Sequence, residues 1–291
     1  MIGIRKITGG RFGNRILQYN NLVQLANKFE VPFYCDSWEG DSWLNLPEQD
    51  CKDDGTQPVN LTWSHFHQFD DNKLKDIIQN NHCVIDGNVI HNCFFRIVHQ
   101  DPRKFLSIRP ELQTKNITGT NVGIHIRGDD IIFADGNNGR EVHSFEFYKR
   151  SIDYILNTDT IESFYVCTDD TNFLVYRKTI DYLTSLKVKF ESGPSTLNSS
   201  IAHIHDFILL SNCDYLIGSS STYVISAGFI GKNKKIIHSK EWIDKNVPGD
   251  SYVKWGRYTP DYPESYWKSY DKFWLEAAER MNNCYKPWKI I

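Results

Sequence analysis

Four short stretches of the 291-residue sequence combine residue types that could hold a phosphorylated ligand. In Gly123-Ile124-His125-Ile126-Arg127-Gly128-Asp129-Asp130, His125 and Arg127 occupy alternate positions of a β-branched run. They therefore share one face of a strand near its carboxyl end, which is where open α/β sheets bind ligands. The planar fork of an arginine suits a pyrophosphate, because it donates two parallel charge-assisted hydrogen bonds. Arg127 could instead pair with Asp129 or Asp130 and serve the fold alone. Thr8-Gly9-Gly10-Arg11-Phe12-Gly13-Asn14-Arg15 falls where a strand turns into a helix. Glycines there admit close backbone approach, and a helix N-terminus favours negative charge, although a tight turn without a ligand fits the same residues. Cys167-Thr168-Asp169-Asp170 ends a further strand, where an aspartate either serves a ligand or caps the next helix. The fourth stretch runs from His205-Asp206 through Ser211 to Gly218-Ser219-Ser220-Ser221-Thr222. A carboxylate can accept from both N1–H and the exocyclic amine of guanine, and a Ser/Gly turn at a helix start offers N–H groups and hydroxyls to phosphate. A capped helix is the other account of the serine run.

Positioning these residues requires alternating strands and helices. The C-terminal half predicts strands over 122–127, 163–167, 188–190, 215–218 and 235–238, with helices over 145–156, 172–185, 201–211 and 222–230 between them. That alternation builds a parallel sheet covered on both faces. The N-terminal half begins the same way, with a strand over 2–7, a helix from Asn14 and a strand over 31–35, and between Trp38 and Asn81 the pattern dissolves into what reads as loops more than core. The expected organisation is an N-terminal lobe over 1–116, a Rossmann-like lobe over 117–245, and an aromatic tail over 246–291 that packs across the lobes, with a helix over 270–282. The fold class is α/β, with two Rossmann-like lobes and a cleft between them.

Composition narrows the function classes. A formal net charge of -3 argues against a polyanion as the main partner, so no nucleic acid is expected. The seven cysteines are odd in number and no pair has C-x-x-C spacing, which fits a reduced compartment. The first residues lack the apolar core of a signal peptide, and no run of apolar residues is long enough to span a bilayer. A cytoplasmic protein without a transmembrane segment is expected. The pairs His65/His67 and His203/His205 lack a third ligand at a recognisable spacing, so no metal is expected. The absence of G-x-x-x-x-G-K-[ST] argues against a P-loop enzyme.

In their order along the chain, Gly9 to Asn14 with Gln18-Tyr19, His125-Ile126-Arg127-Gly128-Asp129, Thr168-Asp169-Asp170, and Asp206 followed by Ser211 and Gly218 to Ser226 resemble the successive motifs of the α1,2-fucosyltransferases. They are similar also to the wider superfamily of α1,2-, α1,6- and protein-O-fucosyltransferases. The resemblance implies a glycosyltransferase-B-like enzyme with GDP-fucose as donor, a glycan acceptor and no cofactor. It implies that Arg127 binds the β-phosphate and helps fucose leave, that His125 and Asp206 approach guanine and ribose, and that Asp170 supports the nucleotide site. Ser220, Ser221 and Thr222 would hold phosphate oxygens, and Gly13 and Asn14 would face the pyrophosphate from the other lobe. Glu141 resembles the glutamate offered as acceptor base, with Asp129 or Asp130 second. Two departures stand out: Gly128 replaces the second arginine of an H-x-R-R pattern, leaving Arg15 and Arg11 as candidate substitutes, and Tyr223, Val224 and Ile225 replace aromatic residues after the serine run. The D-x-D of metal-dependent glycosyltransferases is absent. A transferase of another nucleotide sugar, a non-catalytic glycan or sugar-nucleotide binder with exposed Trp38, Trp43 and Trp63, and a nucleotide hydrolase are the competing readings.

Overall fold

In the computed structural model, which describes residues 1–7, 11–87, 100–112, 117–127, 143–193, 201–218, 221–233, 235–238 and 288–290, the chain forms two units, Met1–Leu112 and Gln113–Ile291. The first unit contains β1 (Ile2–Ile4), α1 (Phe12–Phe29), β2 (Phe33–Cys35), β3 (Leu44–Asn45), β4 (Val59–Leu61), α2 (Trp63–Gln68), α3 (Asp71–Asn80), β5 (Cys83–Ile85) and β6 (Ser107–Ile108). Its main sheet has the order β2-β1-β5-β4 with every pairing parallel, and β3 pairs with β6 antiparallel.

The α1 helix is buried almost all round: Phe12, Ile16, Leu17, Tyr19, Leu22, Val23, Leu25, Ala26 and Phe29 supply its apolar contacts, and polar Gln18, Asn20, Asn21 and Gln24 are enclosed with them. It ends with Glu30 in the left-handed region (φ 55°), where the N–H groups of Glu30 and Val31 donate to the carbonyls of Asn27 and Ala26. Buried Gln24 and half-buried Gln100 exchange hydrogen bonds of 2.9 and 3.1 Å, fastening the segment before β6 to α1. Sequence periodicity starts this helix at Asn14 and runs the first strand to Ile7. The helix begins two residues earlier and the strand stops at Ile4, because the chain beyond it turns Arg5 outward onto Asp53 (2.6 Å).

The 38–81 region is not all loop. Asp70 caps α3 by accepting from the Lys73 amide at 2.8 Å, and Leu74 and Ile78, one turn apart, enter the core with Leu61 and Phe66. The signal was present: an N-cap aspartate followed by an i, i+4 apolar pair. Polar neighbours masked it.

The second unit runs β7 (Asn121–Ile126), α4 (Phe145–Leu156), β8 (Ser163–Thr168), α5 (Leu174–Ser185), β9 (Phe190–Ser192), α6 (Ala202–Asn212), β10 (Tyr215–Gly218), α7 (Thr222–Ile230), β11 (Lys235–His238) and β12 (Trp288–Ile290). The six strands pair in parallel in the order β12-β11-β10-β7-β8-β9. This is the doubly wound Rossmann order, which grows outward in both directions from its first strand. Val122, Ile124 and Ile126 of β7 pack with α4 and α5 through Tyr148, Ile152, Tyr176 and Leu183. The alternate positions face α6 and α7: a Cβ on Gly123 would lie 2.9 Å from Leu210 and 3.2 Å from the Cys213 sulfur, and Gly228 of α7 sits against Ile236 and Leu216. Buried Asn233 closes the C-terminal end of α6 by donating to the carbonyls of Leu210 (3.0 Å) and Cys213 (2.7 Å).

Four expected elements, 145–156, 215–218, 222–230 and 235–238, coincide with the observed ones. The strand expected over 188–190 instead spans Phe190–Ser192, because the Lys187 turn (φ 56°) delays the chain. The helix expected over 270–282 lies outside the described residues, whereas Trp288–Ile290 of the tail adds β12 to the edge of the second sheet.

Gly3 tests the packing of the first sheet. The Tyr34 ring lies across it, so an added Cβ would overlap the ring. Gly3→Ala is expected to lower unfolding free energy by about 1–3 kcal/mol, the range for overpacking a filled site, and urea denaturation measures it.

Candidate nucleotide site at the carboxyl edge of the second sheet

Strand order reverses between β7 and β10, and the carboxyl ends of these two strands form the topological switch point at which doubly wound sheets take their ligands. Arg127 follows the last residue of β7. Ser221 is the N-cap of α7, the helix after β10, and its Oγ accepts from the Tyr223 amide at 3.3 Å. Arg127 Nη1 donates to the same Oγ at 3.3 Å, which holds the guanidinium beside the positive end of the α7 dipole, an arrangement that favours an anion between them. One cation and one helix N-terminus thus converge where the Rossmann order predicts an anion.

His125, two residues before Arg127 on the same face, is buried, and its ring lies on the Tyr223 ring at 5.0 Å with an interplanar angle of 35°. Tyr223 also meets Phe207 edge-on at 5.3 Å, and its hydroxyl donates to the His203 carbonyl in the first turn of α6. From the opposite face of the sheet, Tyr148 Oη donates to the His125 carbonyl at 3.2 Å, fixing the end of β7 from below.

Asp206, on the inner side of α6, is 4% exposed. Gly193 passes directly over it: a Cβ there would fall 2.6 Å from Asp206 Oδ1 and 2.5 Å from the Cys167 sulfur. Cys167 pairs in register with His125, so thiol and imidazole share a face of the sheet. Burial, followed by the Asp206 carboxylate, holds Cys167 protonated well above the usual thiol range. Burial is likewise the main cause raising the Tyr223 phenol, with Asp206 and Cys167 adding to it.

Of the residues singled out in the sequence, His125, Arg127, Asp206 and Ser221 are drawn into this one cluster, and Thr222 opens α7 beside them. Asp170 stands at the carboxyl end of β8, where its Oδ1 accepts from the Asn172 amide at 2.8 Å and its backbone exchanges hydrogen bonds with Thr168 Oγ1. Those contacts shape the turn before α5 and do not cap that helix, whose N-cap is Phe173 with no side-chain cap bond. Gly13 and Asn14 lie in the first unit, in the opening turn of α1, with the Asn14 amide bonded to the Arg11 carbonyl. Arg15 in that turn reaches Glu39 at 2.9 Å. Asp129, Asp130, Glu141 and Ser220 lie outside the described residues. Trp38 and Trp43 are not exposed: Trp38 stacks on Tyr19 at 5.5 Å and tilts over Phe12 at 6.4 Å.

Sequence reasoning missed Tyr223 and Gly193 as parts of the site. Tyr223 was visible only as a departure from a pattern, and Gly193 as one glycine among 18. Among the described residues, the only cluster of three potential metal ligands is Asp53, Asp54 and His82. Its atoms bond within the protein, Asp53 to Arg5 at 2.6 Å, Asp54 to Thr56 at 2.6 Å and His82 to Tyr34 at 2.9 Å. His65 caps α2 through its bonds with Thr62, and His203 and His205 are exposed. No described helix is long and apolar enough to cross a membrane.

No protein-family model and no curated protein matches the chain. Among solved structures, Arabidopsis thaliana FUT1, a mutant in complex with GDP, is similar with a TM-score of 0.50 and 12% identity, over 81% of this chain and 70% of that one. A NodZ α1,6-fucosyltransferase soaked with GDP-fucose aligns over 87% of this chain and 98% of its own at 14% identity and a TM-score of 0.47. A NodZ fucosyltransferase from Bradyrhizobium aligns over 81% and 94% at 13% identity and 0.44. The fold is therefore α/β and of the glycosyltransferase-B-like class, with a parallel sheet in each unit.

Buried acids set an alkaline limit on stability. Burial pushes the Cys35 thiol up to about 12 and raises Cys167, Cys213, Tyr19 and Tyr223 above their ordinary values of 9.0 for thiols and 10.0 for phenols. The unfolded chain ionises first, so it gains stability relative to the folded one as pH rises. The urea midpoint is expected to hold from pH 7 to about 8.5 and then fall steadily above pH 9, which a denaturation series across that range would show.

Proposed function

We propose that this chain is an inverting glycosyltransferase that moves fucose from GDP-fucose to a hydroxyl of a glycan acceptor, galactose or another hexose. The observation that carries the reading is the meeting of Arg127 with the N-cap of α7 at the β7/β10 switch point. Solved structures named as bound to GDP or GDP-fucose point the same way. A leaving nucleoside diphosphate develops negative charge as the glycosidic C–O bond stretches, and preorganised donors aimed at that charge lower the barrier.

In this reading Arg127 and the first turn of α7, through Ser221 and Thr222 and with Ser220 beside them, take the diphosphate oxygens. His125 and Asp206 lie nearer the base and ribose, Asp170 supports that end of the site, and Gly13 and Asn14 serve the diphosphate. The acceptor oxygen forms its bond to the anomeric carbon as the bond to the diphosphate breaks, with inversion through an oxocarbenium-like transition state. A carboxylate, Glu141 first and Asp129 or Asp130 second, receives the acceptor proton. The positive charge facing the diphosphate comes from Arg127, and no cofactor is called for. The location proposed is the cytoplasm.

Calorimetry with GDP, UDP and ADP tests the donor site. The wild type is expected to bind GDP most tightly, and Arg127→Ala to weaken that binding by about 1.5–3 kcal/mol, the cost of losing hydrogen bonds to a charged group. Equal affinity for the three nucleotides, or a mutant indistinguishable from wild type, would overturn the reading.

A further inference from the structure

Resting on the donor-site reading above, we infer that Tyr223 is a positioning residue that sets the phosphate-binding pair Arg127 and Ser221. Four contacts converge on it. Its amide donates to Ser221 Oγ, the oxygen that also accepts from Arg127. Its ring lies on His125, two residues from Arg127 on the same strand face, and packs edge-on against Phe207. Its hydroxyl donates to the His203 carbonyl. One side chain therefore joins the first turn of α7, the first turn of α6 and the carboxyl end of β7.

The tether adds a directional constraint to the first turn of α7. Ser221 Oγ is aimed by its bond from the Tyr223 amide, and that amide's direction follows the orientation of the first turn of α7. The remainder of α7 is anchored largely by buried apolar residues, Val224, Ile225, Ala227, Phe229 and Ile230, whose hydrophobic contacts are non-directional. A hydrogen bond from the phenol to a fixed carbonyl on another helix is directional. Burial, with Asp206 and Cys167 adding to it, raises the phenol well above its ordinary value, so it remains a donor near neutral pH.

A purely structural tyrosine would lower stability and leave ligand discrimination alone. A positioning tyrosine acts on the terminal phosphate in particular. The ratio of GDP to GMP affinity isolates that phosphate, so it is the quantity to measure, in wild type, Tyr223→Phe, Arg127→Lys and the double variant. Tyr223→Phe keeps the ring on His125 and Phe207 and removes only the tether. It is expected to reduce the GDP/GMP affinity ratio about three- to tenfold, the range for one neutral hydrogen bond. In the double variant the two losses are expected to be less than additive, because Tyr223 acts through the partner that Arg127 shares. Ser221→Ala, which removes the shared acceptor, is expected to make a subsequent Tyr223→Phe change silent in the ratio. A wild type that prefers GDP to GMP, with the preference undiminished in a folded Tyr223→Phe protein or with fully additive losses, would overturn the positioning role alone. A wild type without that preference would overturn the donor-site reading and the role of Tyr223 with it.

Discussion

The second unit depends on the two-residue period of β7. Because side chains alternate across a strand, Val122, Ile124 and Ile126 enter the core against α4 and α5, while Gly123, His125 and Arg127 face α6 and α7. Each step along that second face carries a different requirement. Gly123 must be small because Leu210 and Cys213 press on the strand, His125 meets an aromatic ring, and Arg127 clears the sheet and reaches a helix N-terminus. A slip of one residue would bury Arg127 among aliphatic side chains and turn Ile126 toward the ligand edge. The parallel register with β8 and β10 prevents that slip, since all six residues of β7 pair with β8.

The same face must also manage buried polarity. A carboxylate as enclosed as Asp206 costs several kcal/mol unless donors surround it. The Cys167 thiol is one such neighbour, and Gly193 lets the chain after β9 close over both, with its amide bonded to the Val166 carbonyl at 2.8 Å. The result is an enclosed, closely packed polar patch beneath the carboxyl edge.

How far the sequence revealed this differs between the two units. In the second, β-branched runs alternate with helical segments at regular intervals; the helix over 145–156 follows from its one-sided burial pattern, and that over 222–230 from a nearly continuous apolar run between two strands. Arg127 and His125 were legible since alternation on a strand is local. Tyr223 was not, because its contacts reach 98 residues away to His125 and 20 residues away to His203, and no local pattern encodes them. In the first unit three-residue strands offer too little alternation to fix their ends, and α3 was hidden among polar neighbours. The aromatic residues there misled most: Trp38 reads as an exposed platform in sequence, yet in the fold it stacks on Tyr19, with Gly40 beneath its ring.

The central claim is that the β7/β10 switch point holds a nucleoside diphosphate between Arg127 and the first turn of α7. A crystal structure of the protein with GDP measures this directly. The account predicts terminal phosphate oxygens within hydrogen-bond distance of the Arg127 guanidinium and of the amides or hydroxyls that open α7. A diphosphate seated elsewhere, with Arg127 still on Ser221 and no phosphate contact at α7, would contradict it.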